Sequence, residues 1–303
     1  MDGRVAYAAG GPAEAIAAPA AWPAEHGLRA GLRRLARNRL SLFGLVILAV
    51  YAGGALLAPW ISPHPPLATD AGATLRAPGL AHLLGTDQFG RDILSRVLHA
   101  ARLDLFIALT AVGAAVLLGG LLGSLAGYFG GWVDTLVMRA MDALMAFPLF
   151  ILAMGIVAAL GNSVANIIYA TAAINTPFYT RMLRAEMRVK RPQEFVDAAR
   201  CSGDSTTRII VYHLLPNCIS PLVVQVTLNL GWAILNAAGL SFIGLGVRPP
   251  DAEWGIMVSE GARFMVSGEW WVSFFPGLAL MLAVLGFNLL GDGLRDILDP
   301  RRP

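Results

Sequence analysis

At 303 residues, with 56% of them hydrophobic and 14% charged, the chain is too apolar for an ordinary soluble domain. Its apolar residues come in runs of about 20, the length a helix needs to cross the hydrocarbon layer, so the expected class is an all-α polytopic membrane protein. The net charge of +3 comes from 23 basic residues, all but Lys190 arginine, against 20 acidic ones, and nothing in it points to a nucleic acid partner.

Residues 1–32 are rich in Ala, Gly and Pro and read as a flexible tail ahead of a membrane domain over 33–303. No stretch there joins a short apolar core to a small-residue cleavage site, so a signal peptide is not expected. Arg33, Arg34, Arg37 and Arg39 precede the first expected span, Leu40 to Trp60, and such a basic cluster places the N-terminus in the cytoplasm. Pro59, Pro63, Pro65 and Pro66 should stop this helix on the outer side. An outer segment, 61–102, follows. Around Ile93, Leu94, Val97 and Leu98 it has the pattern of an amphipathic helix near the surface, leading into a second span at about Leu105 to Gly127. That span is uncharged and carries Gly113, Gly119, Gly120 and Gly123, which would let another helix approach closely.

After a turn at Tyr128 to Trp132, the third span is expected at about Leu136 to Leu160. Its Arg139 and Asp142 share one face, where they either neutralise each other or belong to a cargo path. Gly161-Asn162-Ser163 reads as a hairpin, and the fourth span, Val164 to Leu183, is the least apolar, with a kink expected at Pro177. Polar groups cannot face lipid cheaply, so this helix should face its neighbours or a water-filled path. A polar loop at about 184–218 precedes the fifth span, Ile219 to Leu245. A second outer segment, 246–270, precedes the sixth, Val272 to Gly291. Five intramembrane amides, Asn166, Asn175, Gln225, Asn229 and Asn236, are candidates for lining the translocation path, the alternative being hydrogen bonds between helices. Six crossings put both termini in the cytoplasm. Sixteen basic residues then fall in inner segments and six in outer ones, the asymmetry such a topology requires.

Within the polar loop, Pro192 to Asn217 reads as two short helices separated by a glycine. Pro192 suits a first turn, and Glu194 and Asp197 oppose the positive end of a helix dipole. Gly203 falls where a helix ends at positive φ. Asp204 and Ser205 can cap a second helix that runs to Leu215 before Pro216 closes it. Ala198 and Ala199 leave one face of the first helix nearly flat, a shape suited to docking in another protein's cleft, though any such loop could be a mere tether. Cys201 and Cys218 lie in or beside it and are expected as reduced thiols.

No catalytic constellation is legible. A phosphate-cradling loop needs Gly-Lys followed by Ser or Thr, and the single lysine follows Val189. The five histidines, His26, His64, His82, His99 and His213, show no ligand spacing, so neither metal nor cofactor is expected. The glycine strings at 119–123 and 127–131 follow no strand, which excludes dinucleotide binding. An ion-gradient-driven transporter would need broken helices and charges at mid-membrane, and a membrane hydrolase a Ser/His or metal constellation at that depth. Neither pattern is present.

Asp197-Ala198-Ala199, three residues to Gly203, nine to His213, then Leu215-Pro216 resembles the cytoplasmic "EAA" loop of the permeases of binding-protein-dependent ABC importers. It departs from that pattern in having Asp for Glu and His213 for Ile. LLGTDQFGRDILSRVLHAAR (83–102), LSFIGLGVRPPDAEWG (240–255) and FNLLGDGLRDILDP (287–300) are similar to the C-type permeases of dipeptide, oligopeptide and nickel importers. The resemblance implies a bacterial inner-membrane protein that works with a homologous second permease, two ATP-binding subunits and an extracytoplasmic solute-binding protein. It implies that Glu194, Phe195, Asp197, Ala198, Ala199, Arg200, Gly203, Leu215 and Pro216 form the ATPase-docking loop, and that ATP is hydrolysed in the partner. Relatives of that kind often carry an acidic residue near the position of Asn236, where this chain has a neutral amide.

Overall fold

The computed structural model describes residues 38–298; the expected tail, the arginines before Asn38 and the last five residues lie outside it. Among the described residues the protein is helical, and its only β-type pairing is an isolated bridge between Thr86 and Asp92. Helix α1, Arg39–Ile61, is capped by Asn38, whose side chain accepts from the Leu40 and Ser41 N–H groups. Pro59 lies inside its last turns, and the helix stops only at Ser62, ahead of Pro63, because a residue before proline avoids the helical region.

Helix α2, Ile93–Phe129, corrects an expectation. The amphipathic stretch at 93–98 is not a separate surface helix but the first turns of one continuous 37-residue rod. No proline or glycine interrupts residues 93–112, and Asp92 caps the start through the Ser95 N–H, so nothing ends the helix before the apolar run begins. At 1.5 Å per residue it is about 55 Å long.

Gly130, at φ 67°, turns the chain into α3, Gly131–Met145, and α4, Leu149–Leu160, which meet at 87°. The third expected span is therefore not one straight helix but a pair bent in its middle. Pro148 has no N–H to donate and pushes Phe147 out of the helical region, so the helix ends there and restarts in a new direction. The hairpin at 161–163 is present, with Gly161 at φ 93° and Ser163 capping α5. Helix α5, Val164–Lys190, runs unbroken through Pro177 and beyond Leu183, so the first residues of the expected loop are its last turns.

Short helix α6 is Glu194–Cys201. A second helical segment follows over Thr206–Arg208, Ile209–Leu214 and Leu215–Asn217, and leads into α7, Ile219–Phe242. Helix α8, Trp254–Ala262, was not expected; Glu253 caps it from within the second outer segment. Helix α9, Trp271–Leu298, extends beyond the expected sixth span and takes in the Gly-Asp-Gly-Leu-Arg-Asp stretch. By length and apolar composition α1, α2, α7 and α9 are long enough to cross a membrane, and the bent pair α3 and α4 makes a fifth span if counted as one. The more polar α5 does not meet that criterion, so the count of six is not established.

The central packing is α5 against α2, and three glycines one turn apart make it possible. A Cβ on Gly119, Gly123 or Gly127 would lie 2.7 Å from the Thr176 carbonyl, 2.5 Å from the Thr180 carbonyl and 2.6 Å from the Met187 Cβ. The expected close approach is thus real, but Gly113, which meets nothing within 4 Å, takes no part in it. Gly123→Leu should force the two helices apart at a cost of about 1–3 kcal/mol, whereas Gly113→Leu should be near neutral. Thermal unfolding of both variants in detergent checks this, and equal midpoints would refute the account of the packing.

Candidate docking loop and the buried polar network

Helix α6 is held by a small apolar core of its own. Val196 and Ala199 are buried against Ile209, Ile210, Leu214 and Cys218 of the returning segment, with Tyr128 from α2 and Leu183 and Met187 from α5. Phe195 and Leu215 pack partly against the same cluster. The flat alanine pair is therefore divided: Ala199 faces inward and Ala198 is exposed, beside exposed Glu194, Asp197, Arg200 and Cys201. Asp197 and Arg200 pair at 2.9 Å across this outer face. Pro192 lies just before the helix and not in its first turn, the cap position being Gln193.

The glycine turn is as expected. Gly203 has φ 82°, its N–H donates to the Arg200 carbonyl at 3.0 Å, and the Asp204 N–H donates to the Ala199 carbonyl at 3.1 Å. These are the two bonds of a Schellman ending. The Ser205 hydroxyl caps the next turn by accepting from the Arg208 N–H at 3.4 Å. Asp204 instead reaches His213 Nε2 at 2.8 Å and Arg208 at 3.4 Å, tying the turn to the returning segment. His213, which departs from the family pattern, thus has a local partner. Pro216 does not close the segment: it lies in the first turn of Leu215–Asn217, and the preceding turn widens to a π-helix in which the Leu215 N–H donates to the Ile210 carbonyl. A proline cannot donate to the carbonyl four residues back, and a widened turn next to it accommodates that loss. Burial pushes the Cys218 thiol up from its usual range, while Cys201 is exposed.

The stem of the loop is braced from the side. Arg184 and Arg188 of α5 both pair with Asp134 in the first turn of α3. Asp142 pairs with Arg181 at 2.6 Å, not with Arg139 as expected, because the turn into α3 points its acidic face at α5. Of the five amides, Asn166 crosses to the end of α4, donating to the Leu160 and Gly161 carbonyls. Asn175 and Asn236 donate to carbonyls one turn back in their own helices, and Gln225 donates to Asn229 at 3.0 Å. The buried Tyr179 hydroxyl of α5 lies against the buried Asn229 side chain of α7. Asn166 thus bonds between helices, from α5 to the end of α4, whereas Asn175, Gln225 and Asn236 donate within their own helices.

A second network joins the two segments expected on the outer side. Asp87 accepts from Arg91 Nε at 2.6 Å and lies 3.6 Å from Arg96 Nε. Arg91 also reaches Glu260 at 3.3 Å, and Arg96 donates to the Pro250 carbonyl at 3.2 Å. Asp104 accepts from the Trp254 N–H at 3.1 Å, and the Trp254 indole donates to the Val97 carbonyl at 3.1 Å. The Glu253 carboxylate accepts from the Gly255 and Ile256 N–H groups, and burial pushes it above the usual carboxylate range. Sequence spacing could not show that the 83–102 and 240–255 motifs fold against each other. It also could not show that His64, His82 and Asp92 converge, with one ligand atom of each within 4.8 Å of the others.

The described residues form a helical membrane domain with a packed polar loop, the architecture expected of a transport permease. The chain belongs to the family described as binding-protein-dependent transport system inner membrane component, whose model matches residues 119–302. Residues 28–78 match the N-terminal TM domain of oligopeptide transport permease C. The dipeptide transport system permease protein DppC of Alkalihalophilus pseudofirmus is 43% identical over 273 residues, 90% of each chain. The di/tripeptide transport system permease protein DppC of Pseudomonas aeruginosa is 44% identical over 272 residues, 88% of this chain and 89% of that one. The MetNI methionine ABC transporter in inward-facing form shares the fold, with a TM-score of 0.54 at 16% identity over 67% of this chain and 96% of its own. The protein is thus a multi-pass permease of a bacterial inner-membrane transport system, and the ion-gradient alternative falls away.

Proposed function

We propose that the chain is one of two non-identical permease subunits of an ATP-driven importer of short peptides. Two ATP-binding subunits would dock at residues 192–217, and an extracytoplasmic solute-binding protein would deliver cargo on the other side. The observation that carries this is α6: its inner face is fixed to α2 and α5 by an apolar core, while Glu194, Asp197, Ala198 and Arg200 are exposed on its outer face. A push on that outer face reaches α5 through the side chains packed on Leu183 and Met187. Similarity to dipeptide and di/tripeptide permeases supports the peptide cargo. In this reading α5 makes the sixth crossing, beside α1, the bent pair, α2, α7 and α9. Both termini are then cytoplasmic, and residues 1–32 form a tail. The docking loop spans about 184–218, and 61–102 and 246–270 lie outside. Asn166, Asn175, Gln225, Asn229 and Asn236 are the residues offered for the path.

The test is reconstitution. Proteoliposomes holding both permeases and the ATP-binding subunits should take up labelled dipeptide only with ATP and binding protein, and this chain alone should hydrolyse no ATP. Copurification of the ATP-binding subunit should be lost when 192–205 is replaced by a Gly/Ser linker. Retention of that subunit would refute the docking role. Topology has its own measurement: Cys201 is exposed on α6, so a membrane-impermeant thiol reagent should label it only from the cytoplasmic side, and assembly should protect it. Labelling in intact cells would overturn the orientation.

A further inference from the structure

Where α1 ends, the chain before α2 folds back and brings three metal-ligating side chains to one corner. One ligand atom from each of His64, His82 and Asp92 lies within 4.8 Å of the others. The two imidazole rings are tilted against each other with centroids 4.7 Å apart, and His82 Nδ1 is 2.9 Å from Asp92 Oδ1. Asp92 is buried and its other oxygen is already held, accepting from the Ser95 N–H and the Ser95 hydroxyl at 2.8 Å each. The same hydroxyl oxygen accepts from the His64 N–H at 3.2 Å, which fixes the backbone of the first ligand to the cap of α2. The site thus has one anchored carboxylate oxygen turned toward two half-buried imidazoles, and neither docking nor transport uses any of them.

We propose that His64, His82 and Asp92 bind a single divalent transition-metal ion of the zinc type. Two imidazoles and one carboxylate are the donors that such borderline cations prefer over magnesium or calcium, and solvent can complete a tetrahedron. Ligand distances of about 2.0–2.2 Å put tetrahedral donors about 3.3 Å or slightly more apart, so ligand atoms now within 4.8 Å must close by at most about 1.5 Å. The ion replaces two weaker contacts, His82 with Asp92 and His64 Nε2 with the Ala81 carbonyl at 3.0 Å. It then ties the exit of α1, the segment before α2 and the α2 cap together across 28 residues of chain from His64 to Asp92. The sequence conceals this site because His64 and His82 are far apart and only the fold back onto α2 joins them.

Full-length protein in detergent, treated with chelator and carrying Cys201→Ser to remove the exposed thiol, is titrated with Zn2+ in competition with a chromophoric chelator. One ion should bind with micromolar or tighter affinity. His64→Ala and His82→Ala should each weaken it by more than about tenfold, while His99→Ala and His213→Ala leave it unchanged. Zn2+ should also raise the unfolding midpoint of the parent but not of the His64→Ala/His82→Ala double variant, whose elution and unmetallated midpoint report that it is folded. No binding to the parent, or equal binding to the folded double variant, overturns the proposal.

Discussion

Asp87→Ala is expected to be the most destabilising single substitution in the segments flanking the spans, costing about 3–5 kcal/mol. Asp87, Arg91 and Arg96 are all less than 5% exposed, so neither guanidinium can regain water when the carboxylate is removed. What remains is Glu260, 3.3 Å from Arg91, and for Arg96 a few carbonyls from Pro66, Pro250 and Asp251. Asp87 also closes its own turn, its Oδ1 accepting from the Phe89 and Arg91 N–H groups at 2.9 and 3.0 Å. Asp87→Asn separates the two roles, since its carbonyl can keep the turn while the charge is lost. Asp142→Ala is the control: it breaks a 2.6 Å pair with Arg181, but both side chains there are more than 40% exposed, and screened pairs contribute only about 0–1 kcal/mol. Thermal unfolding in detergent should therefore rank Asp87→Ala lowest, Asp87→Asn a little above it because only the turn is kept, and Asp142→Ala near the parent. Similar midpoints for Asp87→Ala and Asp142→Ala would mean that pairing, and not burial, sets the cost.

What the sequence showed and what it hid divide by range along the chain. The limits of α1, the hairpin at 161–163, the Schellman glycine and the Ser205 cap depend on residues within a turn of one another, and each can be read from its own neighbourhood. The glycines of α2 announced a close helix, but only the facing Thr176, Thr180 and Met187 decide that 119, 123 and 127 are the ones in contact. Two misses were local and avoidable. Pro148 carried the signal that breaks α3 from α4, and Glu253 before an apolar run carried the cap of α8. The others were not local. Asp142 chose Arg181, 39 residues away, over Arg139, and Arg91 found Glu260 at a separation of 169 residues. Helical spacing brings Arg139 and Asp142 onto one face, but pairing follows which helix lies alongside, and that is a property of the packed bundle.

Gly203→Val should abolish most ATP-driven uptake while leaving the protein inserted. A Cβ at this position would meet nothing within 4 Å, so the cost is backbone strain alone. At φ 82° a β-branched residue is strained by roughly 1–2 kcal/mol or more, and the chain relieves this by leaving the left-handed region. Leaving it breaks the bonds from the Gly203 and Asp204 N–H groups to the Arg200 and Ala199 carbonyls, so the last turn of α6 frays. Asp204 then swings away from His213 and Arg208, and Val196 and Ala199 lose their fixed seat on the returning segment. Insertion of the spanning helices is untouched, because it depends on apolar length. A helix transmits a push only while its hydrogen bonds hold, so closure of the ATP-binding subunits would bend the loop without moving α5. Gly203→Asn is the discriminating partner, since asparagine tolerates positive φ and should retain most of the coupling. Uptake of labelled dipeptide and ATP hydrolysis are measured together on the reconstituted complex. Loss of uptake with persisting hydrolysis in the valine variant, and near-parental uptake in the asparagine variant, is the expected pattern. Parental uptake in the valine variant would show that the loop tethers the ATP-binding subunit and does not drive the membrane helices.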